Sequence, residues 1–251
     1  MIAPARSRLH AEHQPDAIRS RLQQPHRHGD LPNAVLGGID GCVTTFAVVS
    51  GTIGAGFDPM VGLVLGIANL VADGFSMAVS NYQAITAQRE QRERARQIEA
   101  SHIAEVPDGE REEIRQIFRS KGFDEETLER IVSTITADRE LWLETMLNEE
   151  LGQPKHLPNP LRASSVTFLA FVAVGLVPLV PFLLPITNTG LRFAASAGLA
   201  GMMFFVIGWL KGRVLEQAAW RAGLQTLVTG GSAALLAYVA GDVLQRLLTA
   251  N

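Results

Sequence analysis

The sequence predicts an all-α, polytopic membrane protein with five transmembrane helices and a small three-helix insert between the second and third. Three observations carry that expectation. Charge is distributed unevenly: residues 89–156 hold 17 of the 25 acidic and 11 of the 22 Lys and Arg residues. Outside that stretch lie five apolar segments of roughly 20 residues, the length a helix needs to cross the hydrocarbon core. Basic residues then flank these segments on alternate sides, as an odd number of crossings requires. The bulk composition, 47% hydrophobic and 19% charged, would suit a soluble chain and conceals the pattern.

Taken in order, residues 1–30 are rich in Arg, His and Pro and lack an apolar core. They read as a disordered or loosely amphipathic cytoplasmic tail and not as a secretory signal. Residues 31–88 hold the first two spans, 33–53 and 60–82, joined by the tight turn GAGFDP at 54–59. Residues 89–157 form the insert. Residues 158–251 hold the remaining spans, 164–186, 193–210 and 224–244. Pro178, Pro181 and Pro185 are expected to kink the third near its outer end. The spans are rich in Gly, Ala and Ser, which let helices approach closely in lipid.

Orientation follows from the flanking charges. Arg19, Arg21 and Arg27 precede the first span; Arg89, Arg92, Arg94 and Arg96 follow the second; Arg162 precedes the third; Lys211, Arg213 and Arg221 separate the fourth and fifth. The opposite loops offer Arg192. The N-terminus, the insert and the fourth–fifth loop are therefore expected in the cytoplasm, with the C-terminus on the far side.

The insert reads as helices with clear punctuation. A charged helix over 88–104 continues the second span. Pro107 and Asp108 open the next helix and Gly122 ends it. Asp124 caps a helix over 125–136, and a last helix over 138–151 closes at Gly152. Ile114, Ile117 and Phe118, then Leu128, Ile131 and Ile135, then Leu141, Trp142 and Met146 recur at helical spacing and can form a small core.

Spacing also places the candidate ligands. Glu99 and His102 lie three apart on one helix, Glu110 and Glu113 three apart on the next, and Met146 and Glu150 four apart on the last, so each pair shares a helix face. Carboxylate and imidazole suit Fe²⁺, Mn²⁺ and Zn²⁺, and a thioether adds soft character. The competing reading is a solvated charged face, with Met146 a core residue. Within the spans, Asp40 and Asp73 are ionisable groups that lipid disfavours by roughly 2.5–3.5 kcal/mol, which marks a pathway or proton relay. The competing reading there is a protonated Asp bonded to a neighbouring helix. Asn69, Ser76 and Met77 share the second helix with Asp73, and Met77 lies one turn on. Asp242 is expected at the interface. One cysteine, Cys42, excludes an intramolecular disulfide. No nucleophile–base constellation, phosphate loop or zinc-hydrolase motif is present, so an enzyme is not expected.

Residues 38–51 (GIDGCVTTFAVVSG) and 68–82 (ANLVADGFSMAVSNY) resemble the signature spans of the vacuolar iron transporter family. So do residues 110–114, Lys121 with Gly122, Met146 with residues 149–152, and the Pro178/Pro181 run. The resemblance covers about residues 30–250. It implies a five-span homodimer that exchanges cytoplasmic Fe²⁺, often also Mn²⁺, for protons. It implies a pathway between protomers lined by Asp40 and Met77, and an insert binding metal through Glu99, Glu110, Glu113, Met146 and Glu150. His102 departs from the family pattern, which has Glu there, and Leu147 replaces a second Met. Binding is then expected to become more pH-sensitive, and selectivity to shift towards harder ions or affinity to fall. Nodulin-like relatives lack the insert, and a ferritin-like domain before the spans is not expected with so short a tail.

The sequence therefore points to a divalent-metal/proton antiporter exporting metal from the cytosol. The alternative is a metal-responsive sensor or docking protein without transport. Channel and antiporter are not separated by these residues. No tightly bound cofactor and no nucleic acid is expected; divalent ions, protons, the bilayer and a second copy are the expected partners. The membrane is expected to be a bacterial inner membrane, with a vacuolar membrane the alternative.

Overall fold

A computed structural model describes residues 10–23 and 30–249. Among these the chain is helical, with no strand. The expected tail at 1–30 falls partly on residues 1–9 and 24–29, outside the described residues. Within it, α1 spans Pro15–Gln23. The remaining helices are α2 (Leu31–Gly54), α3 (Pro59–Glu105), α4 (Pro107–Ser120), α5 (Glu125–Thr136) and α6 (Arg139–Thr145). They continue with α7 (Pro160–Gly175), α8 (Val180–Leu183), α9 (Thr189–Val214) and α10 (Ala219–Thr249). A π-helical turn, Met146–Glu150, prolongs α6, and a 3₁₀ turn, Val177–Leu179, joins α7 to α8. Five segments are long and apolar enough to cross a membrane: Leu31–Gly54, Pro59–Glu105, Pro160–Leu183, Thr189–Val214 and Ala219–Thr249. The chain is an all-α polytopic membrane protein.

It divides into two compact units, residues up to Tyr82 with those from Leu161 onward, and residues 83–160. In the first, Pro32 and Pro59 begin α2 and α3, where a missing N–H costs no helical bond. Asp58 Oδ1 accepts from Met60 N at 2.8 Å, capping α3. Gly56 takes φ +69°, which the turn between α2 and α3 needs and a side chain disfavours. Packing is set by small residues. A Cβ on Gly37 would sit 2.2 Å from the carbonyl oxygen of Thr167, and one on Gly41 2.3 Å from that of Phe171, so α2 and α7 meet backbone to backbone. A Cβ on Gly54 would likewise sit 2.4 Å from the Tyr238 carbonyl on α10. Around these contacts Cys42, Phe46, Ala200, Phe204 and Ala234 form one core cluster, and Val49, Leu63, Leu179 and Phe182 another.

The third span breaks where a kink was expected. α7 ends at Gly175, the 3₁₀ turn carries Pro178, and α8 holds Pro181 and ends before Pro185. Each proline removes a donor and leaves the carbonyl one turn back without its ladder partner, and two within four residues leave too little helix to bend. Ser196 on α9 donates to the Pro178 carbonyl at 2.7 Å, recovering one of the stranded acceptors.

In the second unit the punctuation is as the sequence suggests. Asp124 accepts from Thr127 N at 2.9 Å and Asp138 from Glu140 N at 2.9 Å. Gly122 and Gly152 take φ +91° and +60° beyond their helices. The core holds Ile103, Ile114, Val132, Ile135, Trp142, Leu143, Met146 and Leu147. The π turn replaces the final turn of the helix expected over 138–151, and both Met146 and Leu147 are wholly buried there.

Candidate metal site

Two helices of the second unit build the site. Glu99 and His102 sit on the last turns of α3, one turn apart. Val106 and Pro107 then turn the chain, with Val106 N donating to the His102 carbonyl at 2.8 Å, and α4 begins. That turn brings Glu110, in the first turn of α4, back against α3. One ligand atom each from Glu99, His102 and Glu110 falls within a 4.8 Å group. His102 Nδ1 lies 3.4 Å from Glu110 Oε1 and 3.9 Å from Glu99 Oε1.

The burial of the two carboxylates sets this cluster apart from a solvated face. Glu99 is 4% and Glu110 3% exposed, and Oε2 of each is buried without a hydrogen-bond partner. Buried polar atoms in native proteins are nearly always paired, so two orphaned carboxylate oxygens beside an imidazole require an explanation. A divalent cation supplies one: it satisfies both oxygens and compensates both charges. Burial pushes the Glu110 carboxyl up to about 7, with the charges of Glu113, Glu99 and Glu150 acting in the same direction and His102 opposing them. Glu113 and Glu150 are thus near enough to act on Glu110, although both are themselves exposed. Met146 lies in the apolar core among Ile114, Trp142 and Leu143. His102 is half-exposed, the open side of the cluster.

In the membrane unit, Asp40 is half-buried on α2, and Asp73 and Met77 lie on α3, the first exposed and the second half-buried. Asn69 is half-buried and Ser76 exposed on the same helix. Asp242 pairs with Arg246 one turn on, at 3.0 Å. Sequence reasoning missed a polar cluster here. Asn81 Nδ2 donates to Asn33 Oδ1 at 3.0 Å and to Thr167 Oγ1 at 2.8 Å, tying α2, α3 and α7 together. The signal was present: Asn81 lies four residues after Met77, on the same helix face.

Comparison with known proteins bears on this arrangement. The profile of the VIT family matches residues 31–242. The chain belongs to the VIT family. Among its relatives, a protein of Toxoplasma gondii named "Vacuolar iron transporter" is 30% identical over 226 residues, covering 86% of this chain and 75% of the relative. A rice protein named "Vacuolar iron transporter 2" is 32% identical, covering 81% and 83%. "Vacuolar iron transporter" of Plasmodium falciparum is 28% identical, covering 86% and 82%. The resemblance read from residues 38–51 and 68–82 is borne out at the level of the VIT family. The matched stretch includes Asp40, Asp73, Met77 and all six candidate ligands in the insert.

Proposed function

We propose that this VIT-family protein is an iron transporter that exchanges Fe²⁺, and secondarily Mn²⁺, for protons and exports metal from the cytosol. The observation that carries the metal reading is the pair of buried, unpartnered carboxylate oxygens of Glu99 and Glu110 beside His102. Glu99, His102 and Glu110 collect the ion, with Glu113 and Glu150 adding negative potential that raises its local concentration. Met146 would join the ligand set by turning its thioether out of the core. Zn²⁺ fits the same donors. The ion then passes to Asp40 and Met77, with Asp73 beside them, and the carboxylates exchange protons for metal.

The pathway lies between two copies of the chain. Supporting this, α3 exposes Val64, Val71 and Phe75 alongside the carboxylate of Asp73. A charged group facing lipid is costly, whereas one lining a protein-enclosed polar path is not. The basic flanks favour a cytoplasmic N-terminus and insert; the membrane of this reading is a bacterial inner membrane, with a vacuolar membrane the alternative. Metal uptake into proteoliposomes with an imposed pH gradient tests the reading. Wild type should accumulate Fe²⁺ and Asp40→Ala should not; equal rates would remove Asp40 from the pathway. Metal binding without flux would leave the insert as a sensor.

A further inference from the structure

The residue 83–160 unit has a second charged feature, of opposite sign and separate from the acidic cluster. Arg89, Arg92 and Arg96 recur at i, i+3 and i+7 on one face of α3. Together with Lys155, His156 and Glu93 they line a cavity of about 470 Å³. The segment 155–157 forms its other wall. Arg92 donates to the Gln153 carbonyl just before it at 3.0 Å, and Arg89 to the Leu157 carbonyl within it at 3.4 Å.

The arginines are held from behind. Glu144 accepts from Arg92 Nη2 at 3.0 and 2.8 Å and from Arg96 Nη1 at 3.2 Å, while Glu140 accepts from Arg96 Nη2 at 2.7 Å. Arg92 and Glu144 are largely buried, so the guanidinium is fixed with little loss of side-chain freedom left for a ligand to cause. Each guanidinium has five N–H donors, more than these bonds use. Four cations and one carboxylate line the cavity, and Glu93 already accepts from Gln97 Nε2 at 3.3 Å. A preorganised, donor-rich concavity of this size suits a phosphate group, which arginine recognises bidentately. Its position along α3 suggests the source. Arg89 and Arg92 follow the end of the span expected over 60–82 by seven and ten residues in sequence. Basic clusters directly beyond a membrane span are where anionic headgroups concentrate.

We propose that the cavity lined by Arg89, Arg92, Arg96 and Lys155 binds a phosphate-bearing anion, supplied by the headgroup of an anionic membrane lipid. The site is separate from the metal ligands and does not depend on the transport reading.

The test uses the full chain in neutral detergent, with binding read by native mass spectrometry. The probes are short-chain phosphatidylglycerol, short-chain phosphatidylcholine and inorganic phosphate. The variant is Arg89→Gln/Lys155→Gln, which leaves the Arg92–Glu144–Arg96 network intact. A companion, Arg89→Lys/Lys155→Arg, keeps both charges. Wild type should retain phosphatidylglycerol over phosphatidylcholine. The Gln variant should bind it about 25-fold more weakly, at roughly fivefold per charge, and the companion near wild type. If inorganic phosphate displaces the lipid at comparable concentration, the anion chemistry stands and the source is soluble phosphate. Equal phosphatidylglycerol affinity in wild type and the Gln variant, or binding to no probe, overturns the proposal.

Discussion

Replacing Glu110 with Gln removes one charge from the buried cluster while keeping its shape, and its consequences run in opposite directions with and without metal. The wild-type carboxyl holds its proton up to about pH 7 instead of the usual 4.5. Its folded-state pKa is raised, so between those values the folded protein binds more protons than the unfolded one. The contribution of Glu110 to stability without metal is therefore fully present below about pH 4.5, falls as pH rises to about 7, then levels off. A difference of that size corresponds to a penalty on the order of 3 kcal/mol for ionising Glu110. Glu110→Gln cannot ionise, so its metal-free insert should be more stable than wild type at pH 8 by up to that amount, and flatter with pH. Saturating Fe²⁺ or Mn²⁺ should restore the wild type and leave the variant nearly unchanged. The assay is hydrogen exchange of peptides covering residues 99–120 in the full chain, with chelator or metal, corrected for intrinsic exchange rates. Protection that rises with pH in the metal-free wild type, or a variant less protected than wild type at pH 8, would refute the reasoning.

Other substitutions probe separate links. His102→Ala should weaken metal binding to the insert about tenfold or more, near 1.4 kcal/mol, by titration of the purified protein; unchanged affinity would place His102 outside the ligand set. Gly41→Ala forces a Cβ to 2.3 Å from a backbone carbonyl and should cost at least about 2–3 kcal/mol, read as a lowered melting temperature in detergent. Gly198→Ala, with nothing within 4 Å of the new methyl, should leave the melting temperature unchanged or slightly raised. Asp138→Ala removes the acceptor for Glu140 N and Leu141 N and should cost about 1 kcal/mol, read as faster exchange at the start of α6.

The features the sequence made legible are those set by local chemistry. Apolar length located the spans, and Asp124, Asp138, Gly122 and Gly152 act at the helix ends where their side chains, or lack of them, are suited. Helical spacing paired Glu99 with His102. What spacing could not provide was burial. Nothing in the residues 99–113 distinguishes Glu110, 3% exposed, from Glu113, which is exposed, although both lie on one helix face. That difference arises from how α4 turns at Val106 and Pro107 onto α3. Pro178, Pro181 and Pro185 mark where the third span departs from a straight helix, but the spacing alone does not separate a kink from the 3₁₀ break the structure has there. Helical spacing places Asn81 on the Met77 face, whereas its bonds to Asn33 and Thr167 join residues distant in sequence and lie beyond the reach of periodicity. The cation-lined cavity at Arg89 was legible as flanking charge, but not as a concavity.

Simultaneous recording of Fe²⁺ entry and luminal pH in proteoliposomes tests the central claim most directly. The account predicts that Fe²⁺ entering without an imposed gradient drives protons out, and that Asp40→Ala abolishes both movements together. Fe²⁺ entry with no proton movement, or flux unaltered by Asp40→Ala, would contradict it.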